Sequence, residues 1–201
     1  MNIVSVYGYQ MNYFIYLGSL IMLLGLYLAF FAHSSIWYSF FVIGGFFLLE
    51  GINSKKDFSL LKNYQTFLYT WLLFVLITIL TEIIGNFLLN AWTYPYFGLV
   101  DYFIHVILIG YPFTFFFAME FFVLVKRYTS SKLWWFILPI SAIIFGYLNE
   151  LPNIFAYEWR YSEMFLGNFL GIPILISILW LLILLVQLFE KLFFDRKKVS
   201  F

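Results

Sequence analysis

The sequence contains no cysteine, which excludes disulfides, thiolate metal sites and a cysteine nucleophile and leaves the redox compartment unreadable. Its two histidines, His33 and His105, are too few for the multi-histidine di-iron sites of membrane desaturases and hydroxylases. Charge is scarce as well: 10% of residues, with a net charge of +1. The cations gather at the ends of apolar runs instead of along one face, so nucleic acid is excluded as a partner. There is no Gly-x-Ser-x-Gly elbow, no His-Glu-x-x-His zinc helix, no P-loop and no Thr-Val-Gly-Tyr-Gly filter. An aspartate-rich diphosphate motif is missing too, which leaves prenyl transfer without support. Neither a metal nor a cofactor is expected.

What remains is grease. Of 201 residues, 64% are hydrophobic and 25% aromatic, with 28 Phe and 16 Tyr, and the mean hydropathy is +0.95. Soluble domains lie well below this, so lipid is the expected surroundings and membrane lipid the expected partner. A crossing helix needs about 20 mainly apolar residues. Runs of that kind are expected over 13–31, 36–49, 67–89, 102–125, 133–148 and 169–188, the second being short. The N-terminus lacks the basic region and small-residue cleavage site of a secretory signal, so the first run is expected to be retained. The fold class is therefore an all-α polytopic membrane protein, one transmembrane domain of about six helices.

Alternate joints between six spans share a side. Lys55, Lys56, Lys62, Lys126, Arg127, Lys132, Lys191, Arg196, Lys197 and Lys198 then lie together, leaving only Arg160 of the eleven basic residues opposite. By the positive-inside rule both termini are cytoplasmic, in what is expected to be a bacterial plasma membrane. Glu82, Asp101, Glu150, Glu158 and Glu163 fall in the outer half.

Two repeats are visible. Asn86-Phe-Leu-Leu-Asn-Ala-Trp92-Thr-Tyr94 matches Asn153-Ile-Phe-Ala-Tyr-Glu-Trp159-Arg-Tyr161 as Asn-x5-Trp-x-Tyr, each with a carboxylate just upstream, Glu82 or Glu150. Each is followed by Gly-x-Pro, at Gly110–Pro112 and Gly171–Pro173. At the inner ends Glu50, Glu120 and Glu190 recur at intervals of 70. Three helical hairpins follow, over about 10–55, 64–127 and 132–192. The first lacks the outer motif and is expected to serve only as packing. The inner glutamates, beside lysines, are expected to be solvated helix ends.

A carboxylate inside a span costs about 2.5–3.5 kcal/mol at the centre, so it faces protein or a water-filled cavity. Glu82 has Asn86 at i+4 on its own face, and Asp101 has His105 likewise. Glu82, Asp101, His105 and Glu150 are the candidate catalytic residues. Asn86, Trp92, Tyr94, Asn153, Trp159 and Tyr161 are the candidate binding residues. All are expected to converge beneath a lid made by the two Trp-x-Tyr loops. Pro112, Pro139 and Pro173 are expected inside spans as kinks beside a cavity.

The second repeat, Trp159-Arg-Tyr161 with Gly167, Gly171-Ile-Pro173 and Trp180, resembles the lycopene cyclase domain and the related carotenoid hydratases. The first, Trp92-Thr-Tyr94 with Gly98 and Gly110-Tyr-Pro112, looks like a looser copy. In that family a Leu-Pro-x-Glu-Glu-like stretch carries the acids thought to protonate a polyene. Here Pro112 and Pro173 are followed by no such acid, so Glu82 and Glu150 would have to replace them. The resemblance implies a lipophilic, isoprenoid or carotenoid-like ligand and proton-transfer chemistry, with Glu82 as donor. Two other readings stand beside it: the substrate-binding membrane subunit of a small-solute transporter, and a scaffold without ligand. No protein partner is indicated.

Overall fold

The computed structural model describes residues 3–56, 58–163 and 167–194, with side chains from residue 13 onward. Six long helical stretches account for most of it: α1 (Ile3–Phe30), α2 (Trp37–Ser54), α3 (Tyr64–Leu88), α4 (Leu99–Tyr128), α5 (Ser131–Ala156) and α6 (Ile174–Phe194). All but α2 are long and apolar enough to cross a membrane. Leu20, Leu72, Leu76, Ile144 and Leu182, all more than half exposed, leave an apolar outer surface suited to lipid. The chain is a helical multi-pass membrane protein.

The span expected to be short lies at the centre. The sequence suggests 36–49, but α2 runs to Ser54 and buries twelve of its residues, from Trp37 to Asn53. Because protein surrounds it on several sides, its hydrophobicity need not match lipid, and Ser39, Glu50 and Asn53 are accommodated by partners instead. It packs along α1 on one side and α4 on another. Against α1 the approach is main chain to main chain at Gly18, Gly25 and Gly44, the small-residue route to close helix contact in a bilayer.

Between α2, α3 and α4 the core is aromatic. The Phe67 and Phe116 rings stack at 4.5 Å, and Phe74 meets Phe116 edge-on at 5.0 Å. Phe145 of α5 closes on Phe117 at 5.0 Å. Offset and edge geometries of this kind add about 0.5–1.5 kcal/mol per pair beyond area burial.

Helix α3 buries one stripe at a spacing of four: Thr66, Thr70, Phe74, Thr78 and Glu82. The hydroxyls of Thr70 and Thr78 donate to the carbonyls four residues back, at 2.8 Å each, which lets polar side chains face the core without orphaned donors. The stripe delivers Glu82 inward, and beyond it α3 widens into a π-helical turn, Ile83–Leu88. In α5 the buried face is Ser141, Ala142, Phe145, Gly146, Asn149 and Glu150. A second π stretch in α4, Tyr102–Gly110, precedes the regular helix from Tyr111.

Pro139 lies inside a helix as expected, and Pro112 opens the regular part of α4. Pro173 does not lie inside a span. It stands at the N-cap of α6 with φ −57° and ψ 132°, because residues 168–173 form a short two-stranded turn instead of helix. The inner glutamates also depart from expectation. Glu50 and Glu120 are 1% and 0% exposed, whereas Glu190 pairs with Lys126 at 2.5 Å and keeps some solvent contact. Arg196, Lys197 and Lys198 lie outside the described residues.

Candidate functional site

The two Trp-x-Tyr segments meet. Trp92–Thr93 (β1) and Arg160–Tyr161 (β2) form an antiparallel ladder with Trp92 opposite Tyr161 and Thr93 opposite Arg160. Here the loop after α3 and the loop after α5 hold each other through main-chain bonds. The residues that follow keep the contact, since Ser162 N donates to the Ala91 carbonyl at 3.0 Å.

Below the ladder each motif grips its own glutamate. Glu82, 1% exposed, accepts from Trp92 Nε1 at 3.1 Å, Tyr94 Oη at 3.1 Å, Tyr102 Oη at 2.7 Å and Asn86 Nδ2 at 3.3 Å. Glu150, 4% exposed, accepts from Trp159 Nε1 at 3.1 Å, Tyr161 Oη at 2.6 Å and Trp180 Nε1 at 3.1 Å. A buried carboxylate is tolerable when donors fill its lone pairs, and each cage supplies several. The tryptophans reach in because a glycine makes room. The Trp92 indole lies on Gly85 and the Trp180 indole on Gly146, and a Cβ at either glycine would collide with the ring.

The tyrosines are held as donors. Burial, with Tyr111 and Glu82 beside it, pushes the Tyr94 hydroxyl above the ordinary tyrosine range. Burial and the neighbouring Glu150 do the same to Tyr161. Both keep their protons at any physiological pH and point them at a carboxylate.

The matched asparagines have diverged. Asn86 binds its glutamate, whereas Asn153 folds back on its own loop, donating to the Trp159 carbonyl at 2.8 Å and accepting from Trp159 N at 3.2 Å. That clamp carries the chain through the left-handed Tyr157, φ 55°. The other i, i+4 pair is not part of a cage. Asp101 is exposed, and His105 turns to α2, where its Nδ1 meets Ser39 Oγ at 2.8 Å. No hydrogen bond joins either to Glu82 or Glu150 among the described residues. A single pocket shared by all the candidates therefore does not form; two adjoining cages take its place.

Several participants escaped the sequence reading. Tyr102 lies outside both repeat copies, one turn into α4, and Trp180, which accompanies the second copy, has no role expected of it there. The first hairpin does more than pack: Tyr38 of α2 bonds Thr114 Oγ1 at 2.8 Å and Asn149 Oδ1 at 3.0 Å. Glu158, noted only for its side of the membrane, is 1% exposed and accepts from Tyr38 N at 3.2 Å, capping the first turn of α2 from across the fold.

Burial drives the Glu158 carboxyl well above its ordinary range, with the Tyr38 hydrogen bond opposing. The folded chain then holds a proton that the unfolded chain has released. Stability contributed by this group is therefore full below the ordinary carboxylate range and falls as pH rises towards the raised value, by up to about 1.4 kcal/mol per pH unit. Thermal unfolding in detergent across that window is expected to show the fall in wild type and a flatter profile in Glu158→Gln. Parallel profiles would exclude Glu158 as the source.

Each cage forms the wall of a groove. One, of about 310 Å³, is lined by Asn86, Tyr94 and Tyr102 together with Phe87, Phe97 and Leu99. The other, larger and more polar, runs past Trp159, Arg160 and Tyr161 to Asn168.

The fold and site thus define a class by architecture alone: a multi-pass helical membrane protein whose paired Trp-x-Tyr loops clamp two buried glutamates. No family model matches the chain, and neither a curated protein nor a solved structure matches it.

Proposed function

We propose that this protein binds a lipophilic, isoprenoid-like molecule at its Trp–Tyr end, taken up laterally from the bilayer. One observation carries the reading: Asn86, Tyr94 and Tyr102 are at once the polar wall of the smaller groove and three of the donors on Glu82. The opposite lining is apolar, and Phe87 and Leu99, 71% and 86% exposed, give the groove a greasy rim. Predominantly apolar walls with a few fixed polar groups are the usual form of a small-molecule site. Glu82 does not itself line the groove, so its role in binding is positioning. It fixes the two hydroxyls that a ligand meets.

If the bound ligand is also transformed, Tyr102 is the hydroxyl that meets it, since it both lines the groove and is the closest donor to Glu82. The resemblance to the carotenoid-modifying family points the same way. The scaffold reading also draws on the cages, which explain the repeat as loop staples without any ligand. Pigment analysis of cells that accumulate lycopene separates these readings. Expression of wild type is expected to change the pigment profile or retain pigment on the purified protein, and Tyr102→Phe to reduce that effect at least tenfold while folding is kept. An unchanged profile with wild type removes the carotenoid version.

The orientation follows the same reading, with the basic end cytoplasmic and the Trp–Tyr end outside. The absence of native cysteine makes labelling clean. In a bacterial cell, Tyr96→Cys is expected to react with an impermeant maleimide from outside and Lys132→Cys only after lysis. The reverse pattern would invert the topology.

A further inference from the structure

At the basic end, away from both cages, two carboxylates lie in the seam between α2 and α4. Glu50 is held by the Ser59 hydroxyl and by Leu60 N at 2.9 Å. Glu120 Oε2 accepts from Asn53 Nδ2, which also donates to the Glu120 carbonyl at 2.9 Å. Glu120 Oε1 has neither solvent contact nor any hydrogen-bond partner among the described residues. Glu50 lies one turn before Asn53, the residue that holds Glu120, on the buried side of α2 that packs against α4.

The cations nearby are engaged elsewhere. Arg127 donates to Asn53 Oδ1 at 2.9 Å, one residue removed from Glu120, and Lys126 pairs with Glu190 at 2.5 Å. Lys55, Lys56 and Lys62 are exposed. Two ionised carboxylates side by side in a low-dielectric seam repel strongly, and an acceptor buried without a donor adds the cost of its lost hydration. One proton between them removes both penalties, because a neutral carboxyl donates where a carboxylate can only accept.

We propose that Glu50 and Glu120 share one proton, making the α2–α4 seam at the basic end a proton-binding site. It is independent of the ligand reading at the opposite end. The orphaned oxygen is the group the proton satisfies. When the proton leaves, the seam holds two like charges with no cation in contact, so α2 and α4 are driven apart there.

Infrared difference spectra of the full-length protein in detergent test this directly. At neutral pH, wild type minus Glu120→Gln and wild type minus Glu50→Gln are each expected to show the loss of one neutral-carboxyl C=O band. Loss of carboxylate bands alone in both differences would overturn the proposal. A second readout stands if one variant folds poorly. The wild-type unfolding temperature is expected to fall as pH rises, since loss of the shared proton leaves two like charges in the seam, and Glu120→Gln is expected to lessen that fall. An equal fall in both proteins overturns the proposal. So does a rise in the wild-type unfolding temperature when sodium replaces choline at neutral pH with no neutral-carboxyl band present, which would assign the seam to a metal cation.

Discussion

Replacing Glu150 by leucine is expected to be among the most damaging single changes in this protein. The side chain is nearly the same size and more apolar, so transfer alone would favour it. Against that stand three donors, Trp159 Nε1, Tyr161 Oη and Trp180 Nε1, all directed at the lost oxygens. A buried donor left without an acceptor costs about 1–3 kcal/mol. Trp159 Nε1 keeps the Tyr161 hydroxyl as an acceptor at 3.0 Å, so two donors are orphaned. Together they offset or exceed the roughly 2 kcal/mol that a buried leucine gains, a sizeable share of the total stability of an ordinary domain, about 5–15 kcal/mol. Glu150→Gln keeps one carbonyl acceptor and brings a donor of its own, so it should fall between. The expected order of unfolding temperature in detergent is wild type, Gln, Leu. Leucine as stable as wild type would show that the cage does not hold the loop.

Gly44→Ala is expected to be destabilising although it is the change that helix propensity favours. Glycine to alanine in a helix interior gains about 1 kcal/mol. The new Cβ, however, would run into the Met22 main chain and the Gly18 carbonyl of α1. Backbone cannot swing aside as a long side chain can, so α1 must shift along much of its contact with α2. Overpacking of this kind costs about 1–3 kcal/mol or more, and the net sign is a loss. The change reads out as a lowered unfolding temperature, larger for Gly44→Leu than for Gly44→Ala. A rise in either variant would mean that the seam is looser than its backbone distances indicate.

Much of the architecture was legible because lipid imposes a simple rule on the chain. Long apolar runs had to be helices, and five of the expected spans each overlap a long apolar helix, although α1 begins at Ile3, α5 runs on to Ala156 and α6 covers Ile174–Phe194. The expectation that Glu82 faces protein rested on the cost of a carboxylate within a span, and the structure buries it at the end of the Thr66–Glu82 stripe. The Asn-x5-Trp-x-Tyr repeat was visible as a pattern, and its carboxylates did prove to be the groups its aromatics hold.

Pattern failed where a residue's partner lies far along the chain. Asp101 and His105 share a helix stripe, but the choice of neighbour, solvent for one and Ser39 for the other, was made by the packing of α4 on α2. Tyr102 carries no local mark distinguishing it from other interfacial aromatics, and the pattern that includes Trp180 does not say that its indole reaches Glu150. Glu50 and Glu120 resembled solvated helix ends because lysines follow them, and only the burial of α2 among its neighbours shows otherwise.

By itself, then, the sequence determined that the chain is a membrane-spanning helical protein and which residue types gather at each end, because hydrophobicity and periodicity are properties of neighbouring residues. The tertiary structure decided that the two repeats pair into one ladder over two separate carboxylate cages, and that the least apolar helix lies at the centre. Those outcomes depend on contacts between segments tens of residues apart, and a buried carboxylate takes its character from the donors such contacts bring to it.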